Sequence, residues 1–314
     1  MSKQIGVIGT FIRDTIITLD RREVHSIGGL YHVCAYLASL AEMDFVIKPF
    51  CHIGEDFRAT VEAALARFGP QVQFDLMRSV PESNTKVTLI YQTAETRDEI
   101  TSPPMPPIRP EEMAAADGLD AVLVNLISGD DIALPALQQL KTRLPESLVA
   151  LDVHSLALGI DANGRRYYRQ VPDWQAWVNT CDILQVNERE AATLNGHEAG
   201  GASDADLLAF GRKIAAQGPR VCHITLGSRG SLVCYRRSGN VYHEHVAPMR
   251  HVQAADIIGC GDAFGAAFLV HFLRHEDVPA ATRFANRVAG LNTTFMGSLT
   301  PELFHAQVKP YLTD

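Results

Sequence analysis

The chain lacks any apolar run long enough to span a bilayer, and Met1-Ser2-Lys3-Gln4 leads straight into the apolar stretch Ile5–Ile8 with no signal-peptide core. That pattern predicts a cytoplasmic protein with no membrane partner. The six cysteines, at 34, 51, 181, 222, 234 and 260, form no C-x-x-C pair and read as free buried thiols in a reducing compartment. Positive charge is in short supply. The 28 Lys and Arg against 36 Asp and Glu leave a net charge of −8 without a long basic run, which speaks against nucleic acid as a partner. Familiar catalytic signatures are missing too. No G-x-x-x-x-G-K-[ST] occurs, so a P-loop NTPase is disfavoured. Gly259-Cys260-Gly261 is followed by Gly265, one residue too late for the dinucleotide fingerprint, and there is no G-x-S-x-G elbow.

What the chain does have is the make-up of an ordinary soluble globular protein: 314 residues, 46% hydrophobic and 20% charged, enough for a sizeable core. Short β-rich runs alternate with helical stretches, which predicts an α/β fold with a mainly parallel sheet covered on both faces. Strands are expected at Ile5–Ile8, Ala121–Asn125, Val149–Asp152, Ile183–Val186 and Val221–Thr225. Helices are expected at Val33–Ala41, Ala59–Phe68, Asp131–Arg143, Ala205–Ala216 and Ala263–Arg274. Thr15–Ile27 and Thr85–Ile100 fit neither group, being rich in β-branched residues that tend to alternate with polar ones. Pro103-Pro104-Met105-Pro106-Pro107 then favours an extended return.

The most informative segment is Asp256-Ile257-Ile258-Gly259-Cys260-Gly261-Asp262, running into the apolar helix that starts at Ala263. Two glycines let the backbone turn tightly and approach a ligand, and a helix start offers unpaired N–H groups and a partial positive charge to an anion. A carboxylate beside such a cradle can accept a hydroxyl proton while the cradle holds transferred phosphoryl oxygens. The same residues also fit an ordinary helix N-cap.

Asp256, Gly259, Gly261 and Asp262 resemble the second signature of the ribokinase/PfkB family of sugar and nucleoside kinases, Asp-Thr-x-Gly-Ala-Gly-Asp, with Ile257 for the Thr and Cys260 for the Ala. Other family motifs follow in order: Ile5–Gly9 with Asp14, the di-glycine Gly28-Gly29, Gly54-Glu55-Asp56, Asn187-Glu188-Arg189-Glu190, and Thr225-Leu226-Gly227-Ser228-Arg229-Gly230. The resemblance covers nearly the whole chain. It implies a single three-layer α/β/α domain over residues 1–314, with lid segments near 11–29 and 84–102 forming a small β-sheet over the acceptor.

The activity implied is transfer of a phosphoryl group from ATP to an alcohol of a small sugar-like or nucleoside acceptor. Asp262 would be the base, with the N–H groups of Gly259, Cys260, Gly261 and Asp262 as the anion hole. Asn187, Glu190, Thr225, Gly227, Gly230 and Asn286 would serve the nucleotide, and Glu190 would order Mg2+ through water. Asp256, with the Phe295–Ser298 loop, would serve a monovalent cation, K+. Asp14, Gly28, Gly29 and His32 would bind the acceptor, and a homodimer would form through the lid.

The acceptor half departs from the pattern. The family Asn four places after the second glycine is Val33 here, beside His32, and the Asp-x-Asn-x-Arg strand end reads Asp152-Val153-His154-Ser155-Leu156. That departure motivates a second reading, a kinase-like nucleotide- or sugar-binding regulatory protein with weak turnover. Two further clusters have plain explanations. His243-Glu244-His245 has a spacing a metal could use but, with no third ligand nearby, reads as solvated strand histidines. Arg165–Arg169 resembles a small phosphate or base-stacking patch but reads first as an exposed loop with its rings laid on the core.

Overall fold

Continuous apolar segments set the main sheet, and the computed structural model describes residues 2–93, 97–249 and 254–312. In chain order the strands are β1 (Lys3–Ile8), β2 (Phe11–Ile17), β3 (Glu23–Gly29), β4 (Phe45–Gly54), β5 (Met77–Val80), β6 (Lys86–Tyr91), β7 (Arg97–Thr101), β8 (Ala121–Asn125), β9 (Leu148–Asp152), β10 (Leu158–Ile160), β11 (Arg166–Tyr168), β12 (Ile183–Asn187), β13 (Val221–Thr225), β14 (Ser231–Arg237) and β15 (Asn240–Val246). The helices are α1 (Leu30–Ala41), α2 (Glu55–Ala66), α3 (Leu134–Arg143), α4 (Trp174–Val178), α5 (Glu188–Leu194), α6 (Asp204–Gln217), α7 (Cys260–His275) and α8 (Val278–Asn292).

Nine strands pair in the order β15-β14-β13-β12-β9-β8-β1-β4-β5, parallel from β13 to β5 and antiparallel at the β13–β14–β15 end. Side-chain alternation divides the core between the two faces. Val7, Leu123 and Ala150 face the cluster built with α1, α7 and α8, while Ile8, Val122, Val124 and Leu151 face the one built with α3 and α6. The result is three layers, α/β/α. β1 lies between β4 and β8, so the strand order reverses there, and the carboxyl ends beside such a switch point form a natural crevice.

The two segments that broke the α/β rhythm pair with each other. β3-β2-β6-β7 forms a separate four-stranded sheet, whose Ile12, Ile16, Val87 and Leu89 pack on Ile127 and Ile258 of the main body. Residues 94–96, within the expected Thr85–Ile100 segment, lie outside the described residues.

Several boundaries move for identifiable reasons. The expected 59–68 helix runs instead over Glu55–Ala66, its start supported by Glu55 and Asp56 against the helix dipole. The helix expected from Asp131 begins only at Leu134, with a proline in its first turn. Asp131 is instead buried in the preceding loop, accepting from Ser128 N–H (3.0 Å), Gly129 N–H (3.1 Å) and the Thr10 hydroxyl (2.6 Å). β4 escaped the pattern because Lys48 and Pro49 interrupt its apolar character.

A buried polar chain fixes the turn that precedes α7. The Tyr36 hydroxyl donates to Asn292 Oδ1 (2.8 Å), and Asn292 Nδ2 donates to the Ile258 carbonyl (2.7 Å), joining α1, α8 and that turn. Asn292→Leu leaves both partners buried and unpaired, so a stability loss of about 2–4 kcal/mol is expected in urea denaturation. A loss under about 0.5 kcal/mol would show that the two groups find other partners.

Candidate active site

The site is built where α7 meets the carboxyl ends of the strands. Gly259 caps α7 at φ 74°, a left-handed conformation costly for other residues, and a Cβ there would stand 2.9 Å from His32 Nδ1. Cys260, Gly261 and Asp262 form the first helical turn. Cys260 N–H makes a long bond to the Ile257 carbonyl (3.4 Å), whereas Gly261 N–H has no acceptor among the described residues. A Cβ on Gly261 would meet only Gln185 Nε2, at 3.7 Å, so the space on its side-chain side is open.

Three strand ends converge on this turn. In register, Asn125 of β8 lies opposite Asp152 of β9, and Asp152 opposite Gln185 of β12. Asn125 Nδ2 donates to Asp262 Oδ1. Gln185 Nε2 donates both to Asp152 Oδ2 (2.7 Å) and to the Gly261 carbonyl (2.9 Å), clamping the helix start to the sheet edge. Further along the edge, Asn187 and Glu190 cap α5 reciprocally: Glu190 N–H donates to Asn187 Oδ1 (2.9 Å), and Asn187 N–H donates to Glu190 Oε2 (2.8 Å).

These carboxyls are dry. Burial raises Asp262 to about 7, against the Asn125 hydrogen bond and its own backbone N–H, which favour the charged form. Burial likewise raises Glu190 to about 8. Asp152 is pushed well up by burial, then by the charges of Glu190 and Asp262.

Asp262 also borders a cavity of about 100 Å3 roofed by Ile12, Val87 and Leu89 of the small sheet, with Asp14, His32, Glu99, His154 and Arg166 among its polar walls. Asp14 reaches it from β2 because Gly28, across the β2–β3 ladder, has no Cβ to collide with the carboxylate. His32, in the first turn of α1, is 3% exposed with neither ring nitrogen hydrogen-bonded among the described residues, and burial lowers it to about 4 against the nearby Asp256 charge. At neutral pH it is an uncharged imidazole, one nitrogen a donor and the other an acceptor.

The expected site residues therefore divide into groups. Asp14, Gly29, His32, Gly259 and Asp262 share the larger cavity, with Gly28 directly behind Asp14. Gly261 lines a smaller void of about 20 Å3 behind Asp262 together with Val33, Asn125 and Asp152. Asn187, Glu190, Thr225, Gly227 and Gly230 line neither, and occupy the β12–β13 side of the same edge, where Asn187 and Thr225 are register partners. Asn286 ties α8 to the end of β15 through the Val246 carbonyl (3.0 Å). Asp256 accepts from the Tyr91 hydroxyl (2.8 Å), Ile258 N–H (3.0 Å) and Gly297 N–H (3.2 Å), which fastens it to the Phe295–Ser298 loop.

Asn125, Gln185, Glu99 and Ser155 were missed as site residues. Asn125 and Gln185 were findable as polar residues at or near the carboxyl ends of apolar parallel strands. One expectation is reversed: within Arg165–Arg169, Tyr167 is 53% exposed, whereas the Arg166 side chain is only 7% exposed and lines the larger cavity. His243 and His245 are exposed on β15, with a ring nitrogen of His245 2.9 Å from the Arg229 carbonyl.

The model of the pfkB family carbohydrate kinase matches residues 51–303. The chain belongs to this family. Among curated relatives, the ribokinase of Bacillus subtilis is 26% identical over 200 residues, 58% of this chain. That match spans 61% of the ribokinase's own length. The cytidine kinase of Thermococcus kodakarensis is 25% identical over 281 residues, 88% of this chain and 91% of that one. A sulfate complex of a pyrophosphate-dependent kinase in the ribokinase family superposes with a TM-score of 0.76 over 96% of this chain and 99% of that one, at 22% identity. The fold is ribokinase-like.

Because Asp262 and Glu190 are raised above ordinary carboxyl values, the folded chain holds protons that the unfolded chain releases. Their stabilisation is complete below the usual carboxyl range and is lost as pH rises through about 7 and then about 8. The ligand-free protein should therefore melt at a lower temperature near pH ~9 than near pH ~6, with Glu190→Gln removing part of the difference. An identical pH slope in the Gln variant would contradict the burial argument for Glu190.

Proposed function

We propose that the protein transfers the terminal phosphoryl group of ATP to a hydroxyl of a small sugar-like or nucleoside acceptor. One observation carries this reading: a buried carboxylate, Asp262, borders the polar cavity while standing in the first turn of α7 beside the Gly261 N–H, which has no acceptor among the described residues. Asp262 accepts the acceptor's hydroxyl proton. The freed oxygen attacks the terminal phosphorus, the bond to the bridging oxygen breaks, and ADP leaves with that electron pair. The N–H groups at the α7 start, Gly261 foremost, hold the transferred oxygens. Asp14, Gly28, Gly29 and His32 form the acceptor side, and the small sheet excludes water as a lid.

Donor binding falls to the Asn187–Glu190 and Thr225–Gly230 segments, with Asn286 beside them. The raised Glu190 and Asp152 suit a site that gains from positive charge. Mg2+ bound with the nucleotide would supply that charge, its water shell ordered by Glu190. Asp256 already accepts from three donors, so a potassium ion there would need loop carbonyls to complete its shell. The inner face of the small sheet is covered by Ile127 and Ile258, and pairing of its outer face between two copies is the dimer we propose.

Asp262→Asn keeps the shape and removes the base, so turnover should fall about 10²–10⁴-fold with donor binding retained. ADP release that stays near normal in this variant excludes Asp262 as the base. In the unmodified protein kcat/KM should rise with pH through about 7 as Asp262 ionises. Asn125→Leu removes the bond that favours the carboxylate and should move that limb to higher pH, while an unmoved limb assigns the titration elsewhere. Gly261→Val has room in the fold, so a melting temperature close to that of the unmodified protein combined with at least a ~10-fold loss of activity is expected. Unchanged donor kinetics would sink the cradle. The weak-turnover reading predicts saturable nucleotide binding without ADP release above background for any acceptor.

A further inference from the structure

Arg166 is placed unlike any other part of the acceptor cavity. It sits on β11, which pairs with β10 and is carried alongside β7 of the small sheet by the Ile100–Arg165 bridge. Its side chain is 93% buried, being 7% exposed, and it lines the cavity with Asp14, His32 and Asp262. Nη2 donates to the Ile127 carbonyl at 3.3 Å. Nε stands 3.5 Å from Glu99 Oε2, beyond a good hydrogen bond, and Nη1 is buried with no hydrogen-bond partner among the described residues. Burial draws the guanidinium below its usual range, opposed by the charges of Glu99 and Asp131, yet an arginine stays protonated in such surroundings.

A buried guanidinium with an N–H unfilled is costly unless a ligand fills it. Glu99 and Asp131 offset the charge of this cation but leave its Nη1 unfilled among the described residues. Asp14, His32 and His154 already offer donors and acceptors for hydroxyls, and a cavity bearing Asp14, Glu99 and Asp262 would repel an anion if Arg166 were absent. The planar fork of arginine matches a pair of oxygens sharing one negative charge. We infer that the acceptor carries an anionic group, a carboxylate or a phosphate, held by Arg166 while its reacting hydroxyl lies at Asp262. This inference rests on the kinase reading and narrows its acceptor.

The test uses the full chain and matched acceptors: ribose, ribonate and ribose 5-phosphate; glucose, gluconate and glucose 6-phosphate; and cytidine. Phosphoryl transfer is followed with ATP and with pyrophosphate, and donor-free binding of the same compounds is followed by calorimetry. Sugar acids or sugar phosphates should be preferred over their neutral parents by ~10-fold or more in KM or Kd. Arg166→Met should abolish the preference with a far smaller effect on kcat, and Arg166→Lys should keep part of it. Glu99→Gln, which removes the competing carboxylate, should tighten anion binding and keeps the test open if the Met variant fails to fold. Preference for gluconate and ribonate assigns a carboxylate; preference for the phosphates assigns a phosphate. Better turnover of neutral sugars or cytidine overturns the inference and leaves the kinase reading standing. Absence of turnover with every acceptor and both donors counts against the kinase reading, and the inference is then decided on binding, where equal affinity for anionic and neutral compounds, or an anion preference surviving Arg166→Met, overturns it.

Discussion

The arrangement of this molecule turns on the burial of an acidic side chain at the start of a helix. Asp262 is 8% exposed at the first turn of α7, and everything near it limits the cost of putting a carboxyl there. Asn125 donates to it, its own backbone N–H favours it, and the helix end adds a partial positive charge. Those terms leave it raised to about 7, at the point where loss and gain of a proton are nearly balanced. A carboxyl on the surface would stay ionised and be a poorer proton acceptor near neutral pH.

The surrounding polar contacts read as consequences of that constraint. Gln185 binds Asp152 and the Gly261 carbonyl at once, so the sheet edge and the helix start move as a unit. Tyr36 and Asn292 hold the Ile258 carbonyl immediately before the left-handed Gly259, fixing the turn from behind. Asp256, tied to Tyr91 of β6 and to Gly297, links the same turn to the small sheet and to the loop after α8. One carboxylate thereby joins the small sheet to the turn before α7.

The three-layer fold was legible because parallel strands buried on both faces are uninterrupted apolar runs; β8 and β13 match their expected limits residue for residue. The small sheet was legible only when β-branched alternation was joined to the family resemblance. What stayed hidden depends on register rather than on local pattern. Asn125 and Gln185 stand out locally only as polar residues at or near the ends of apolar strands, and they meet the α7 start, at Asp262 and at the Gly261 carbonyl, because β8, β9 and β12 are in register there. Arg166 was misjudged for a related reason. A run of arginines and tyrosines is ordinarily solvated, and only the pairing of β10 with β11 turns one of its members inward.

This distribution carries a physical lesson about the two halves of the site. Phosphoryl-transfer chemistry needs backbone N–H groups and one carboxylate at a helix start, and glycine spacing writes that requirement into a short contiguous stretch. The larger cavity is walled by side chains delivered by β2, α1, β7 and β11, each from a different part of the chain. Arg166 enters that wall from β11, whereas Val33 lines the smaller void beside Gly261, and the wall meets the turn before α7 at Ile258, Gly259 and Asp262. The sequence departs from the family pattern in both places, at Ile257 and Cys260 within the turn and at Val33 and the Asp152–Leu156 strand end outside it.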